Sequence, residues 1–366
     1  MNGRSDINAR ADVRTLLGGM PLPRRVAMFR ALQLGDLLCT VPALRALRGA
    51  LPEAEITLVG LPWAGGFVQR FSAYLDRFVA IPGWPGLPER PTEPAAIPAF
   101  LAGMQAQQYD LVLQMHGSGG VTNPLAALFG GGRTAGYVEP GAYAPDPELF
   151  MPYPHGEHEV RTHLRLMEFL GIRGHGEELE FPVLPADAAE LAAALGDQSL
   201  TRDAYACLHP GARAASRRWP AERFAAVGDA LAARGLRIVL TGSAEERTVT
   251  GAVARAMHTP PLDLAGRTSL GALALLTRDA ALVVTNDTGM SHIAASVHTP
   301  SVVLALAADP ARWAPLDQRR HRVVMHPVEC RPCGLTVCPI GHPCATGIMP
   351  DEVIAAADTV LAGVAA

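Results

Sequence analysis

The chain has 366 residues, 49% of them hydrophobic, with 36 Gly and 31 Pro, enough apolar material for two cores of roughly 150 to 180 residues and too long for one. A formal net charge of -4 argues against a sequence-independent grip on nucleic acid, which needs a basic surface. No run of about 18 apolar residues is available to cross a bilayer and the N-terminal region lacks an apolar signal core, so a cytoplasmic location is expected.

Residues 1–23 are polar and patternless and read as a loose tail. VAMF at 26–29 reads as a buried strand and ITLVG at 56–60 as a second. Between them Leu37, Leu38, Val41, Leu44, Leu47 and Leu51 recur at helical spacing. DLVLQ at 110–114 predicts another strand, followed by the turn HGSGG at 116–120 and an apolar segment through Phe129. A Pro- and acid-rich connection at about 181–202 divides a first domain, 24–185, from a second, 200–366. The alternation then restarts with YACLHPGA at 205–212, a helix from Ala221 to Arg234, the strand LRIVLTG and a helix after Ser243. A helix at 269–277, the strand ALVVT at 281–285, a helix from Gly289 to Val297 and the strand SVVLAL follow. Strands separated by helices imply an α/β fold of two Rossmann-like domains, with mainly parallel sheets facing a cleft. Ligands of such sheets bind at the carboxyl ends of the strands.

Three of those strand ends carry chemistry. After ALVVT comes Asn286-Asp287-Thr288-Gly289 and then a helix with His292 in its first turn; free N–H groups and a partial positive charge at a helix start suit a diphosphate. Taken alone, Asp287 would serve as an N-cap and His292 as a surface imidazole. HPGARAASRRWPAERF puts a Gly-containing turn after a strand, then Ser216, Arg217 and Arg218. VLTGSAEER puts Gly242 and Ser243 after the next, with Glu245 and Glu246 opening a helix. Guanidinium and amide groups for a diphosphate and a carboxylate for ribose hydroxyls together suit a nucleotide. The sequence contains no Lys, so phosphate contacts fall to Arg, His or backbone amides.

The ordered set H-P-G-A, R-W-P-x-E-R-F, G-S-x-x-E, N-D-T-G-x-x-H-x-A-A and a Cys-rich tail, with Gly35-Asp36 and Pro42-Ala43-Leu44-Arg45 near the start, resembles glycosyltransferase family 9, which includes the ADP-heptose:lipopolysaccharide heptosyltransferases. The resemblance covers nearly all of residues 25–360. It implies a GT-B architecture with an N-terminal acceptor domain and a C-terminal nucleotide-sugar domain. The implied activity is inverting transfer of heptose from ADP-L-glycero-D-manno-heptose to a lipopolysaccharide core precursor or related glycan. A glycolipid acceptor also implies peripheral contact with the inner membrane surface. Asp36 is the implied general base beside Gly35; Asp287, Thr288, Gly289 and His292 map to the donor diphosphate, with Gly242, Ser243 and Ser216 around it. Glu246 maps to the nucleoside, with Glu245 its neighbouring rival. Family members usually carry Lys where this chain has Arg217, which keeps the charge but not the shape.

For Asp36 the plain alternative is an N-cap. Against it, a helix begun at Asp36 would put Pro42 at its sixth position and orphan the Leu38 carbonyl. A helix starting near Pro42 instead leaves Asp36 in a loop. No Asp-x-Asp triplet occurs, so leaving-group charge falls to Arg217 and the helix dipole, and no cofactor beyond the donor is expected. Cys330, Cys333, Cys338 and Cys344 have spacings compatible with Zn²⁺ or iron, yet the favoured reading is a reduced structural loop with no metal. His116 and His209 are minor candidates. An oxidoreductase is disfavoured because no G-x-G-x-x-G follows a strand, and a catalytically silent nucleotide-binding or assembly protein is the remaining alternative.

Overall fold

The computed structural model describes residue 19 and residues 21–364, so most of the expected tail lies outside the described residues. The chain folds as two compact units, the first ending at Glu177 and the second starting at Glu178. The first holds strands β1 (Arg25–Phe29), β2 (Glu55–Gly60), β3 (Arg77–Ala80), β4 (Leu111–Gln114), β5 (Arg133–Val138) and β6 (Phe150–Pro152). They form one sheet in the order β3-β2-β1-β4-β5-β6, and every pairing is parallel. The second holds β7 (Tyr205–His209), β8 (Arg237–Leu240), β9 (Leu262–Asp263), β10 (Leu282–Asn286), β11 (Ser301–Leu304) and β12 (His321–Val324). Their order is β12-β11-β10-β7-β8-β9, again parallel throughout. Numbered from its own first strand, each unit has the same doubly wound arrangement.

Central strands are apolar on both faces because helices cover both. β4, β10 and β11 are buried at every residue, which is why they read as continuous hydrophobic runs rather than alternating ones. The strands that sequence patterning did not identify lack that signature. β3, β9 and β12 are only partly buried, and β6 is three residues ending in Pro. β5 is buried but carries Gly136, where a Cβ would stand 2.6 Å from the Gln114 carbonyl oxygen of the neighbouring strand; the close approach excludes the branched side chains that announce a strand.

Two regions differ from expectation. The connection read at 181–202 contains a helix, Pro185–Leu195, which packs on the helix Leu270–Arg278 of its own unit. The C-terminal stretch forms a 15-residue helix, Pro350–Val364, whose Val353, Ala357 and Val360 enter the second core beside Trp219 and Phe224. Trp219 and Phe224 meet edge to face at 5.2 Å. The Trp219 indole N–H also donates to the Ile348 carbonyl at 3.3 Å. The R-W-P-x-E-R-F motif therefore anchors the C-terminus as well as starting the helix Ala221–Ala233.

The order of each sheet reverses direction between two neighbouring strands, β1 and β4 in one unit and β7 and β10 in the other. The crossovers leaving such a pair run to opposite faces, so their first loops separate and a crevice opens at the carboxyl edge. In the second unit this edge is braced by Asn286. Its side-chain oxygen accepts from the Trp219 N–H (3.2 Å) and its amide donates to the Pro210 carbonyl (2.9 Å). Asn286→Ala would leave both groups buried and unmet, at about 1 to 3 kcal/mol. A lowered thermal midpoint relative to wild type is expected, and an unchanged one would show that the brace carries no load.

Candidate functional site

In the second unit the loops after β7 and β10 carry the predicted motifs to one edge. Asn286 ends β10, and the Asp287 N–H continues the ladder to the Leu304 carbonyl at 3.1 Å. The N-cap of the helix Gly289–Ser296 is Thr288, whose hydroxyl accepts from Met290 N and whose carbonyl accepts from Ser291 N. Asp287 is thus not a cap. Its side chain is 7% exposed. Burial raises its pKa to about 6, against the opposing pull of the Arg217 guanidinium. His292 is buried as well, its ring edge-on to Trp313 at 6.2 Å, so it is no surface imidazole. Gly289 is the first helical residue.

Arg217 ends a short 3-10 turn, Ala215–Arg217, and is half-buried. Ser216, expected at the donor, has its polar groups engaged elsewhere. Its N–H donates to the Thr336 carbonyl at 3.0 Å, its hydroxyl donates to Leu335 O, and its carbonyl accepts from His342 Nε2 at 2.7 Å. Ser216 is therefore the joint between the Arg217 turn and the Cys-rich segment. Cys330, Cys333, Cys338 and Cys344 line a cavity of about 20 Å³ with Ser216 and His342, and all are free thiols. No group of three or more His, Cys, Asp or Glu among the described residues is arranged to hold a metal ion.

At the end of β8, Glu246 accepts from the Ser243 N–H at 2.8 Å and stands 4.0 Å from His209 Nε2. A Cβ on Gly211 would collide with its carboxyl carbon, so the glycine of H-P-G is the space in which that carboxylate lies. Gly242 receives the Gly266 N–H at 2.8 Å and packs against Glu246. Burial holds the His209 pKa below its usual value although Glu246 opposes. Glu245 is exposed; hydrogen bonds from its own N–H and from Ser243 lower its pKa. Of the two acids, Glu246 is the one built into the edge.

In the first unit, Asp36 lies at the β1/β4 reversal, in neither of the two arrangements expected for it. It is the third residue of a one-turn helix, Leu34–Leu38, and its Oδ2 accepts from the Gln33 N–H at 3.2 Å. A separate helix, Val41–Ala50, then starts with Pro42 in its first turn. The helical spacing holds, and the chain breaks it at residues 39–40 so that the proline meets no carbonyl. Gly35 is buried within the short helix. Asp36 remains 24% exposed. Beneath it Arg30, 1% exposed, donates from Nε to the Asp36 carbonyl (3.0 Å), from Nη1 to Met115 O (2.5 Å) and from Nη2 to Glu159 Oε1 (2.7 Å). His116, at the end of β4, accepts the Ala31 N–H on Nδ1 at 3.1 Å and stacks on Phe29. The glycines of HGSGG serve the turn: Gly117 and Gly119 have φ of 66° and 106°. Sequence reading missed Arg30 and Glu159, and it named Asn286 only as the first residue of its motif, without the bracing role. The one available signal was a charge placed directly after an apolar strand, as in VAMF-Arg30.

The sequence model described as glycosyltransferase family 9 (heptosyltransferase) matches residues 98–342. The chain belongs to this family. Lipopolysaccharide heptosyltransferase 3 of Escherichia coli K12 is 27% identical over 291 residues, 77% of this chain and 82% of that protein. The glycosyl transferase family 9 structure from Veillonella parvula superposes with a TM-score of 0.76 at 22% identity, covering 93% of this chain and 97% of its own. The E. coli ADP-heptose LPS heptosyltransferase II structure gives 0.72 at 19% identity, with 93% and 100% covered. Family 9 membership makes this chain a glycosyltransferase, and the superpositions give it the GT-B fold. Among the described residues no helix is long and apolar enough to cross a membrane.

The Asp287 carboxyl yields a pH prediction. Its folded pKa of about 6 lies above the ordinary Asp value of 3.8, so the folded state holds a proton that the unfolded state has lost. This contribution to stability is greatest below the unfolded value and falls as pH rises through about 6. A diphosphate beside the group should likewise bind more weakly as the carboxylate ionises. ADP affinity measured by calorimetry from pH 5 to 8 is expected to fall more steeply for wild type than for Asp287→Asn; parallel profiles would place the carboxyl away from the ligand.

Proposed function

We propose that this chain transfers a heptose from ADP-heptose to a lipopolysaccharide core precursor or a related glycan, with inversion at the anomeric carbon and Asp36 as general base. The observation that carries the reading is the Asp287-Thr288-Gly289 turn at a helix start, with Arg217 close enough to influence the Asp287 charge. A helix N-terminus and a guanidinium together suit a nucleoside diphosphate. The heptose and the lipopolysaccharide acceptor are drawn from what the E. coli relatives are named for.

In this reading the acceptor oxygen forms a bond to the anomeric carbon as the bond to the diphosphate oxygen breaks, and ADP leaves with the electron pair. The acceptor proton passes to an Asp36 carboxylate oxygen. Its one-quarter exposure leaves that carboxylate accessible to an acceptor, and positioning rather than a special basicity would carry the step. Arg217 and the helix amides would take up the charge gathering on the diphosphate. Glu246 would meet the ribose hydroxyls. The first unit would hold the acceptor, the second the donor, and the glycolipid would be met at the inner membrane surface.

Mixing the protein with ADP-heptose and a heptose-accepting core precursor should release ADP and give a product of inverted anomeric configuration by NMR. Asp36→Asn is expected to keep ADP-heptose binding and lose on the order of 10²- to 10⁴-fold in turnover; unchanged turnover would remove Asp36 as base. Donor binding without ADP release from any acceptor would favour the silent nucleotide-binding alternative. Absence of thermal protection by ADP or any nucleotide sugar would end both readings.

A further inference from the structure

Arg30 is a buried guanidinium with two carboxylates of unequal claim on it. Glu159 Oε1 is 2.7 Å from Nη2 and is itself 3% exposed, whereas Asp36 Oδ1 is 3.9 Å from the same nitrogen and 24% exposed. Burial works against the Arg30 charge, and Glu159 first and Asp36 second more than offset it, so the pKa stands raised. The three polypeptide segments that Arg30 ties together are the loop after β1, the loop after β4 through Met115 O, and the start of the helix Glu159–Phe169. They meet at the strand-order reversal of the first unit. A buried ion pair of this kind is weak evidence for stability, since apolar residues of similar volume serve as well. Its persistence directly under Asp36 calls for another account.

We propose that Glu159 is a positioning residue for transfer: by taking up the Arg30 charge it lets Arg30 hold the Asp36 backbone in place without neutralising the Asp36 carboxylate. The inference rests on Asp36 being the base. The partition follows from distance and burial. The Glu159 contact is a close, desolvated, charge-assisted hydrogen bond, whereas the Asp36 carboxylate stands beyond hydrogen-bond range of Arg30 and partly in water. With the Glu159 charge removed, the guanidinium has Asp36 as its remaining close carboxylate among the described residues, and a carboxylate bound to Arg gives up affinity for the acceptor proton. The other titratable groups around this cluster are His163, with Nε2 3.3 Å from Glu159 Oε1, Tyr137, hydrogen-bonded to His163 Nδ1 at 3.0 Å, Tyr153, edge-on to Tyr137, and Cys39. Burial raises the Tyr137 pKa well above its ordinary value, so it stays neutral throughout the range tested.

The test is Glu159→Gln in the full chain, with two readouts. Carboxyl ¹³C NMR of Asp-labelled protein, with the Asp36 signal assigned by its loss in Asp36→Asn, reports the titration midpoint of the base. Steady-state kinetics report kcat and the donor KM. We expect the Asp36 midpoint to fall by about one pH unit, kcat to fall roughly threefold to tenfold at neutral pH, and donor KM to stay as in wild type. Glu159→Asp, which keeps the charge, should restore both. Should Glu159→Gln fail to fold, the double variant Arg30→Met, Glu159→Met removes both charges at similar volume and should move the Asp36 midpoint upward instead. An unmoved midpoint in the folded variant, or a moved midpoint with unchanged kcat, overturns the proposal. Loss of turnover in Asp36→Asn with no effect of Glu159→Gln defeats this inference alone, whereas full turnover in Asp36→Asn defeats the reading on which it rests.

Discussion

The constraint on which the structure depends is topological. A sheet whose strands are all parallel must return each connection across one of its faces, and where the strand order reverses, two adjacent strands send their connections to opposite faces. Both units have that reversal, at β1/β4 and at β7/β10. Their carboxyl edges are thus opened by the fold itself, before any side chain is chosen. What the sequence adds is selective: Asp36, Arg30 and His116 at one reversal, and Asp287, Thr288, Arg217 and Glu246 at or beside the other.

The two edges are built with different electrostatics. In the second unit a carboxyl is buried with a guanidinium close enough to pull its pKa down, and a helix start lies beside them, which suits a ligand that brings its own negative charge. At the first edge the guanidinium is beneath the surface and already engaged by a buried acid, while the exposed group is a carboxylate. That arrangement suits a neutral hydroxyl that must lose a proton. In the proposed reading, asymmetry of this kind would set a donor half apart from an acceptor half even though the two sheets share one strand order.

Much of this was legible in the residues. The central strands announced themselves as apolar runs because burial on both faces demands it, and the motifs at their ends kept their order. The edge strands did not, since β9 is two residues long and β12 is half-polar. The 185–195 helix was hidden by prolines that mark its start rather than a linker. At the site, pattern alone left an N-cap open as an alternative for Asp287, which the Thr288 cap removes, and gave no sign that the hydrogen bonds of Ser216 go to residues 335, 336 and 342. Such gaps have one cause. Motif spacing locates a residue on a loop but does not say which neighbour, distant in sequence, has already taken its hydrogen bonds. Arg30 and Glu159, 129 residues apart, are the plainest case.

The central claim is that a nucleoside diphosphate seats in the crevice at the β7/β10 reversal. Amide hydrogen exchange followed by mass spectrometry, with and without saturating ADP, measures this directly. The account predicts slowed exchange at the turn and first helical residues around 287–293 and at the Arg217 turn around 213–218. Protection confined to residues before 177, or none at all under conditions where ADP is bound, would contradict it.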